Sequence, residues 1–187
     1  MQQPQQTIKE GLLKYAPFRD SPNKNERPDA NDIQLIIVHG ISLPPGTFGS
    51  SCIDDLFLNQ LDPHQHPYFE EIHQLKVSSH LLIRRDGNVI QYVPFHQRAW
   101  HAGVSCYQGE HNCNDFSIGI ELEGTDDTPY KQEQYLALSQ ACKSLIQHYP
   151  LLSEETIVGH CDVASGRKTD PGESFDWIEF KRLLSLS

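Results

Sequence analysis

The chain has 187 residues, 37% of them hydrophobic, and sets 15 Lys and Arg against 25 Asp and Glu for a formal net charge of −10. That length fits one domain with a single core, and the acid excess lacks the basic footprint of a nucleic-acid binder and disfavours an acidic polymer as partner. No apolar run approaches the ~18 to 20 residues of a membrane span, and MQQPQQTIKEGLLKYAPFRD at the N-terminus has no basic n-region, apolar h-region or small-residue cleavage site, so the expectation is a cytoplasmic protein without a membrane partner.

Residues 1–31 are polar and rich in Gln, Asn and Pro, the composition of an irregular arm lying on a domain formed by residues 32–187. Ile33 and the run Leu35-Ile36-Ile37-Val38 predict a short strand buried on both faces that delivers His39 at its end, with Gly40 and SLPPGTFG breaking it. CIDDLFLNQL (52–61) spaces Cys52, Leu56 and then Leu58 or Asn59 loosely as a helix, and DPHQHP after it is a turn-rich break. VSSHLLIRR and NVIQYVP flank Asp86-Gly87, which predicts an antiparallel hairpin over 77–93, with His80 and Leu82 on one face and Leu81 and Ile83 on the other. In FSIGIELEG (116–124), Phe116, Ile118, Ile120 and Leu122 alternate with Ser117, Gly119, Glu121 and Glu123, so one face is core and the other carries acids.

Thr128 and Pro129 read as the N-cap and first residue of a helix whose stripe runs Tyr135, Leu138, Cys142, Leu145, Tyr149 and ends at Pro150. The β-branched run 156–158 predicts a strand ending at His160, and Ser174 a cap for a last helix with Phe175, Ile178 and Leu183 or Leu184 inward. Helices mixed with strands, including a hairpin, give an α/β or α+β fold: one domain with a mixed central β-sheet flanked by helices. Five cysteines (52, 106, 113, 142, 161), odd in number and without a CxxC pair, fit a reducing compartment and buried thiols in place of a disulfide framework.

GHCDVASGRKTDPG (159–172) crowds His160, Lys168 and Asp170 into a stretch without helical or strand rhythm. A catalytic zinc needs three ligands from His, Cys or carboxylate and one open position. His39 and His160 at two strand ends, with Asp170 on a loop pinned by Pro171 and Gly172, supply such a set; the rival reading makes each His a satisfied polar residue at a strand end. His64 and His66 have no third ligand nearby and receive no role, and Cys161 beside His160 points to the opposite face of a strand, which disfavours a Cys-His nucleophile pair.

IIVHGISLPPG, SSHLLIRRDGNVIQYVPFHQRAWHAGVS, NDFSIGIELEGTD and GHCDVASGRKTDPG, in that order, resemble the zinc-dependent N-acetylmuramoyl-L-alanine amidases, and within them the cytoplasmic AmpD-like branch, over roughly residues 33–184. The wider family includes phage lysozyme-like amidases and peptidoglycan recognition proteins. The resemblance implies one Zn2+ per chain on His39, His160 and Asp170, Glu121 as the carboxylate that orients or deprotonates the attacking water, and Lys168 as the cation facing the developing oxyanion. Glu123 shares the face of Glu121 and is the alternative base. Gly40, Lys76, His80, Trp100 and His101 become candidate substrate contacts, His80 and His101 with structural hydrogen bonding as the alternative and Trp100 with a core role; Gly40 and Lys76 depart from the branch, which usually carries Asn and Arg there.

The implied reaction is hydrolysis of the amide between the lactyl group of 1,6-anhydro-N-acetylmuramic acid and L-alanine in muropeptides during cell-wall recycling, by a monomer. Loss of such enzymes, again by resemblance, induces β-lactamase. Two rivals are a non-catalytic muropeptide-binding module of the same fold and a zinc peptidase acting on stem peptides.

Overall fold

A computed structural model describes residues 7–186, so the first six residues of the predicted arm lie outside the described residues. In chain order the elements are the strands β1 (Ile8–Lys9), β2 (Leu12–Leu13), β3 (Lys24–Glu26) and β4 (Leu35–Ile41), the helices α1 (Cys52–Phe57) and α2 (Pro67–Ile72), then β5 (Leu81–Ile83), β6 (Val89–Gln91), β7 (Gln97–Ala99), β8 (Cys106–Tyr107), β9 (Glu110–His111) and β10 (Ser117–Glu123), followed by α3 (Gln132–His148), β11 (Ile157–Gly159), α4 (His160–Val163) and α5 (Trp177–Leu184). The central sheet has the order β11-β4-β10-β5-β6. Its first four strands run parallel and β6 returns antiparallel to β5 across the Asp86-Gly87 turn. This is the mixed sheet flanked by helices that the sequence predicts.

Parallel strands need both faces covered. On one face Ile36, Val38, Ile118, Ile120 and Leu122 pack with Leu138, Cys142 and Leu145 of α3 and with Phe180 and Leu183 of α5. On the other, Leu82, Ile90 and Tyr92 meet α1 and α2, while Leu35, Ile37 and Phe116 meet Ala102, Cys113 and Val163. Leu138 is fully buried at the centre of the first layer. Leu138→Ala is expected to lower unfolding free energy by about 2–5 kcal/mol through lost burial and the cavity left behind, measured by denaturant titration.

Several boundaries move, each for a local reason. β4 does not break at Gly40, because its ladder with β10 continues through Gly40 and Ile41 opposite Leu122 and Glu123. The acid-bearing face of β10 is not solvated: all seven strand residues are buried. α3 starts three residues later than the Thr128-Pro129 signal, at Gln132, since Thr128 N–H donates to Thr125 Oγ1 (3.1 Å) in a turn and Gln134 reaches back to Lys131 N–H (3.1 Å). His160 opens a helical turn instead of ending a strand. Asp176, not Ser174, caps α5 by accepting from Ile178 and Glu179 N–H; Phe175, Leu183 and Leu184 are buried as expected and Phe180 joins them, while Ile178 is 84% exposed.

The arm is less irregular than its composition suggests. β3 pairs with β7, and Arg27, buried, donates to the carbonyls of Phe95, Asn114, Asp115 and Ser117. The arm thereby braces the segment that leads into Trp100 and His101.

Candidate active site

The strand order β11-β4-β10 lines up the chemistry at the carboxyl ends of three parallel strands, where open α/β sheets bind ligands. His39 on β4 and Glu121 on β10 are register partners, and His160 follows β11 directly. Asp170 arrives on the returning loop, held by a bond from Cys161 N–H to the Asp170 carbonyl (3.0 Å). That loop closes through Gly172 at φ +85°, where a Cβ would lie 2.1 Å from Asp126 Cα, so only glycine fits.

One donor atom from each of His39, His160 and Asp170 lies within 4.8 Å of the others. Asp170 Oδ2 is 3.3 Å from His39 Nδ1 and 3.1 Å from His160 Nδ1. Burial pushes the His39 imidazole down to about 4 against the opposing pull of Asp170, so the ring is neutral at physiological pH. Burial also works against charge on Asp170, but the bonds with His160 and His39 outweigh it and hold the carboxyl well below its usual range. A neutral imidazole and an ionised carboxylate are the ligating forms. Two imidazoles and a carboxylate with room for a fourth ligand fit a hydrolytic metal ion.

Glu121 sits beside this cluster, buried, and its Oε2 meets no hydrogen-bond partner among the described residues. Burial, reinforced by Asp170, raises its carboxyl well above the usual range, with Lys168 pulling the other way. An unpartnered buried carboxylate costs folding energy and marks a group kept free for another purpose. Glu123, two residues on, has no such freedom: it accepts from Gly49 N–H (2.6 Å), Arg85 N–H (3.1 Å) and Arg84 Nη1 (3.1 Å). A cavity of about 420 Å³, in the range of small-molecule sites, opens over the cluster between Leu43, Tyr68, Trp100 and Lys168.

A family profile for N-acetylmuramoyl-L-alanine amidase matches residues 29–173. The chain belongs to this amidase family. It is 53% identical over 180 residues to the 1,6-anhydro-N-acetylmuramyl-L-alanine amidase AmpD of Citrobacter freundii, covering 96% of each chain. The Escherichia coli AmpD is also 53% identical, over 95% of this chain and 97% of its own. Among solved structures, a selenomethionine AmpD crystal structure superposes with a TM-score of 0.92 at 53% identity, covering 95% of this chain and 99% of that one. The E. coli amidase AmiD, solved with anhydro-N-acetylmuramic acid-L-Ala-D-γ-Glu-L-Lys, superposes at 0.60 with 27% identity, over 81% of this chain and 57% of that one.

In this amidase the remaining predicted residues are distributed unevenly. Lys168 is exposed on the cavity rim, and Gly40, Trp100 and His101 line the cavity. Trp100 is half-buried and donates its Nε1–H to Asn25 Oδ1 of the arm (2.6 Å). Lys76 is exposed and is not among the lining residues. His80 does not line the cavity: it is fully buried beneath it, accepting from Gly119 N–H at Nδ1 (3.0 Å) with Nε2 3.0 Å from the Gln97 carbonyl. Burial, reinforced by Arg27, keeps His80 neutral. Sequence reading missed Arg27, Asn114 and Tyr130, each a polar residue defined by the backbone group it meets and by no periodic pattern.

Gly40 has a steric reason. A Cβ there would lie 2.5 Å from the Tyr130 hydroxyl, which donates to the Pro171 carbonyl (3.0 Å) next to Asp170. Gly40→Asn is expected to destabilise the amidase by about 1–3 kcal/mol through overpacking. Adding Tyr130→Phe should recover part of the loss, a non-additivity that a double-mutant unfolding cycle would register.

Proposed function

We propose that this amidase cleaves the amide between the lactyl group of 1,6-anhydro-N-acetylmuramic acid and L-alanine in muropeptides, using one zinc ion held by His39, His160 and Asp170. The observation that carries the reading is the convergence of these three donor atoms beside a buried Glu121 whose Oε2 has no partner. The substrate class is supported by the names of the AmpD relatives and by the anhydromuropeptide bound to AmiD. Residues 32–187 form the catalytic unit, since every proposed ligand and catalytic residue lies there. The protein acts as a monomer on cytoplasmic muropeptides; its five free thiols suit a reducing compartment.

When bound, zinc polarises the scissile carbonyl and makes water a nucleophile near neutral pH. Glu121 accepts the proton of the attacking water through its free Oε2, and delivers it to the departing L-alanine nitrogen as the carbon–nitrogen bond breaks. Lys168, on the rim, faces the oxyanion that develops on the carbonyl oxygen, where a fixed cation acts on charge present only in the transition state. Glu123 takes no part, because its oxygens already hold Gly49, Arg84 and Arg85 in place.

Mass spectrometry of products from anhydro-muramyl tripeptide tests this, with protein as prepared, after chelation, and after zinc is restored. The expected result is intact tripeptide plus anhydro-sugar, stopping with chelator and returning with zinc. Fragments cut within the peptide would mean a peptidase, and tight binding without turnover would mean a binding module.

A further inference from the structure

We infer that the pair His101-Ala102, clamped by Asn114, holds both metal histidines in the tautomer that can ligate, and thereby sets metal affinity. This rests on the assignment of His39, His160 and Asp170 as ligands.

Both imidazoles present Nδ1 to the same oxygen, Asp170 Oδ2. A carboxylate in that position also accepts a proton from Nδ1, and a ring protonated there has no lone pair left for an ion. What opposes that tautomer is an acceptor on the far nitrogen of each ring. His160 Nε2 lies 3.1 Å from the carbonyl of Ala102, which can only accept, so a proton on Nε2 is bonded there and Nδ1 is left bare. His39 Nε2 lies 2.9 Å from Nδ1 of His101, whose own Nε2 is 3.4 Å from Ser117 Oγ. Two consecutive residues thus serve two proposed ligands, one on β4 and one on the helical turn that follows β11.

The pair is built into place. His101 lies against β10 where Gly119 leaves space: a Cβ at that position would be 2.5 Å from His101 Cγ. Asn114, itself buried, accepts through Oδ1 from both His101 N–H (3.1 Å) and Ala102 N–H (2.8 Å). Arg167 Nη2 donates to the Ala102 carbonyl as well (2.7 Å), fixing its direction. One side-chain oxygen therefore orients the backbone of both residues whose acceptors face the metal histidines. Asn114 belongs neither to the proposed ligand set nor to the cavity lining, so it is a positioning residue, and so is His101 in this role.

The test is the zinc dissociation constant, measured by chelator competition on the full chain, together with the melting temperature of the metal-free protein. His101→Phe keeps a ring over Gly119 but removes the acceptor, and His101→Asn returns an oxygen near the Nδ1 position. Asn114→Leu removes the clamp, and Asn114→Asp keeps its accepting oxygen. The Phe and Leu variants are expected to bind zinc about 10- to 100-fold more weakly, the usual effect of losing an outer acceptor; the metal-free melting temperature should stay nearly unchanged in His101→Phe and fall in Asn114→Leu, which leaves two peptide N–H groups without their acceptor. The Asn and Asp variants should recover most of the affinity. Parental affinity in His101→Phe overturns the inference, and so does an Asn variant as weak as Phe, which would make ring packing the role of His101. Should Asn114→Leu fail to fold, the His101 pair decides alone. A parent protein that takes up no zinc is a separate outcome and removes the ligand assignment instead.

Discussion

Glu121→Gln is expected to leave zinc bound while turnover falls about 10²- to 10⁴-fold, the loss of a general base, and at the same time to make the metal-free protein more stable. The two effects share one cause. Glu121 is buried with an unpartnered oxygen, and its carboxyl is raised by burial and by Asp170. A carboxyl raised in the folded state binds protons more tightly there than in the unfolded chain. Its favourable contribution is complete below the ordinary carboxylate range and is lost as pH climbs from there through the raised value, so at neutral pH the buried carboxyl is a net cost. Glutamine removes that cost. Thermal melts of chelated protein at neutral and mildly acidic pH should show the variant ahead at neutral pH and the gap closing on acidification. Equal activity in the variant would mean that the base lies elsewhere, and a damaging Glu123→Gln would point to the neighbouring carboxylate.

Asp170→Ala should abolish stable zinc uptake. Two imidazoles remain, but the third donor and the only charged one is gone, and its loss changes the metal-free protein in a defined direction. The Asp170 carboxyl is held below its usual range by His160 and His39, so it stabilises the fold above the ordinary carboxylate range and that contribution disappears as pH falls through and beneath it. The parent should therefore show a zinc-dependent rise in melting temperature, about 4 kcal/mol of stabilisation at a thousandfold excess of zinc over its dissociation constant. The Asp170→Ala protein should show neither that rise nor one zinc per chain by elemental analysis. Full zinc content in the variant would remove Asp170 from the ligand set.

Much of this geometry was legible in the sequence, and the illegible part has a common character. A continuous apolar run announced β4, which is buried on both faces, and alternation announced β10, whose polar face is buried as well; Gly/Pro punctuation marked the Asp170 loop as irregular. The register that sets Glu121 opposite His39 was not readable, since the pairing of parallel strands joined by a long crossover is fixed by packing on both layers. Choosing between Glu121 and Glu123 needed the backbone N–H groups of Gly49 and Arg85, which no spacing encodes. The caps were misplaced because Thr128, Ser174 and Asp176 are all chemically competent, and only the tertiary path selects among them. Asn114 had no signal at all: its importance lies in the two peptide groups it faces.

The adjacency of β11 and β4 also bears on how the protein is made. His39 lies on β4 and His160 directly follows β11, neighbouring strands that are separated by most of the chain, so the proposed ligand set cannot gather until the long crossover has closed and the sheet has grown to its last parallel strand. Such non-local pairing is slow to form. The proposed zinc ion is consequently expected to arrive late, on a scaffold already folded without it, unlike small domains whose chains collapse only around metal. Chelation should switch the amidase off and lower its melting point while leaving its ordered core standing, and refolding should proceed at the same rate with or without zinc in the buffer.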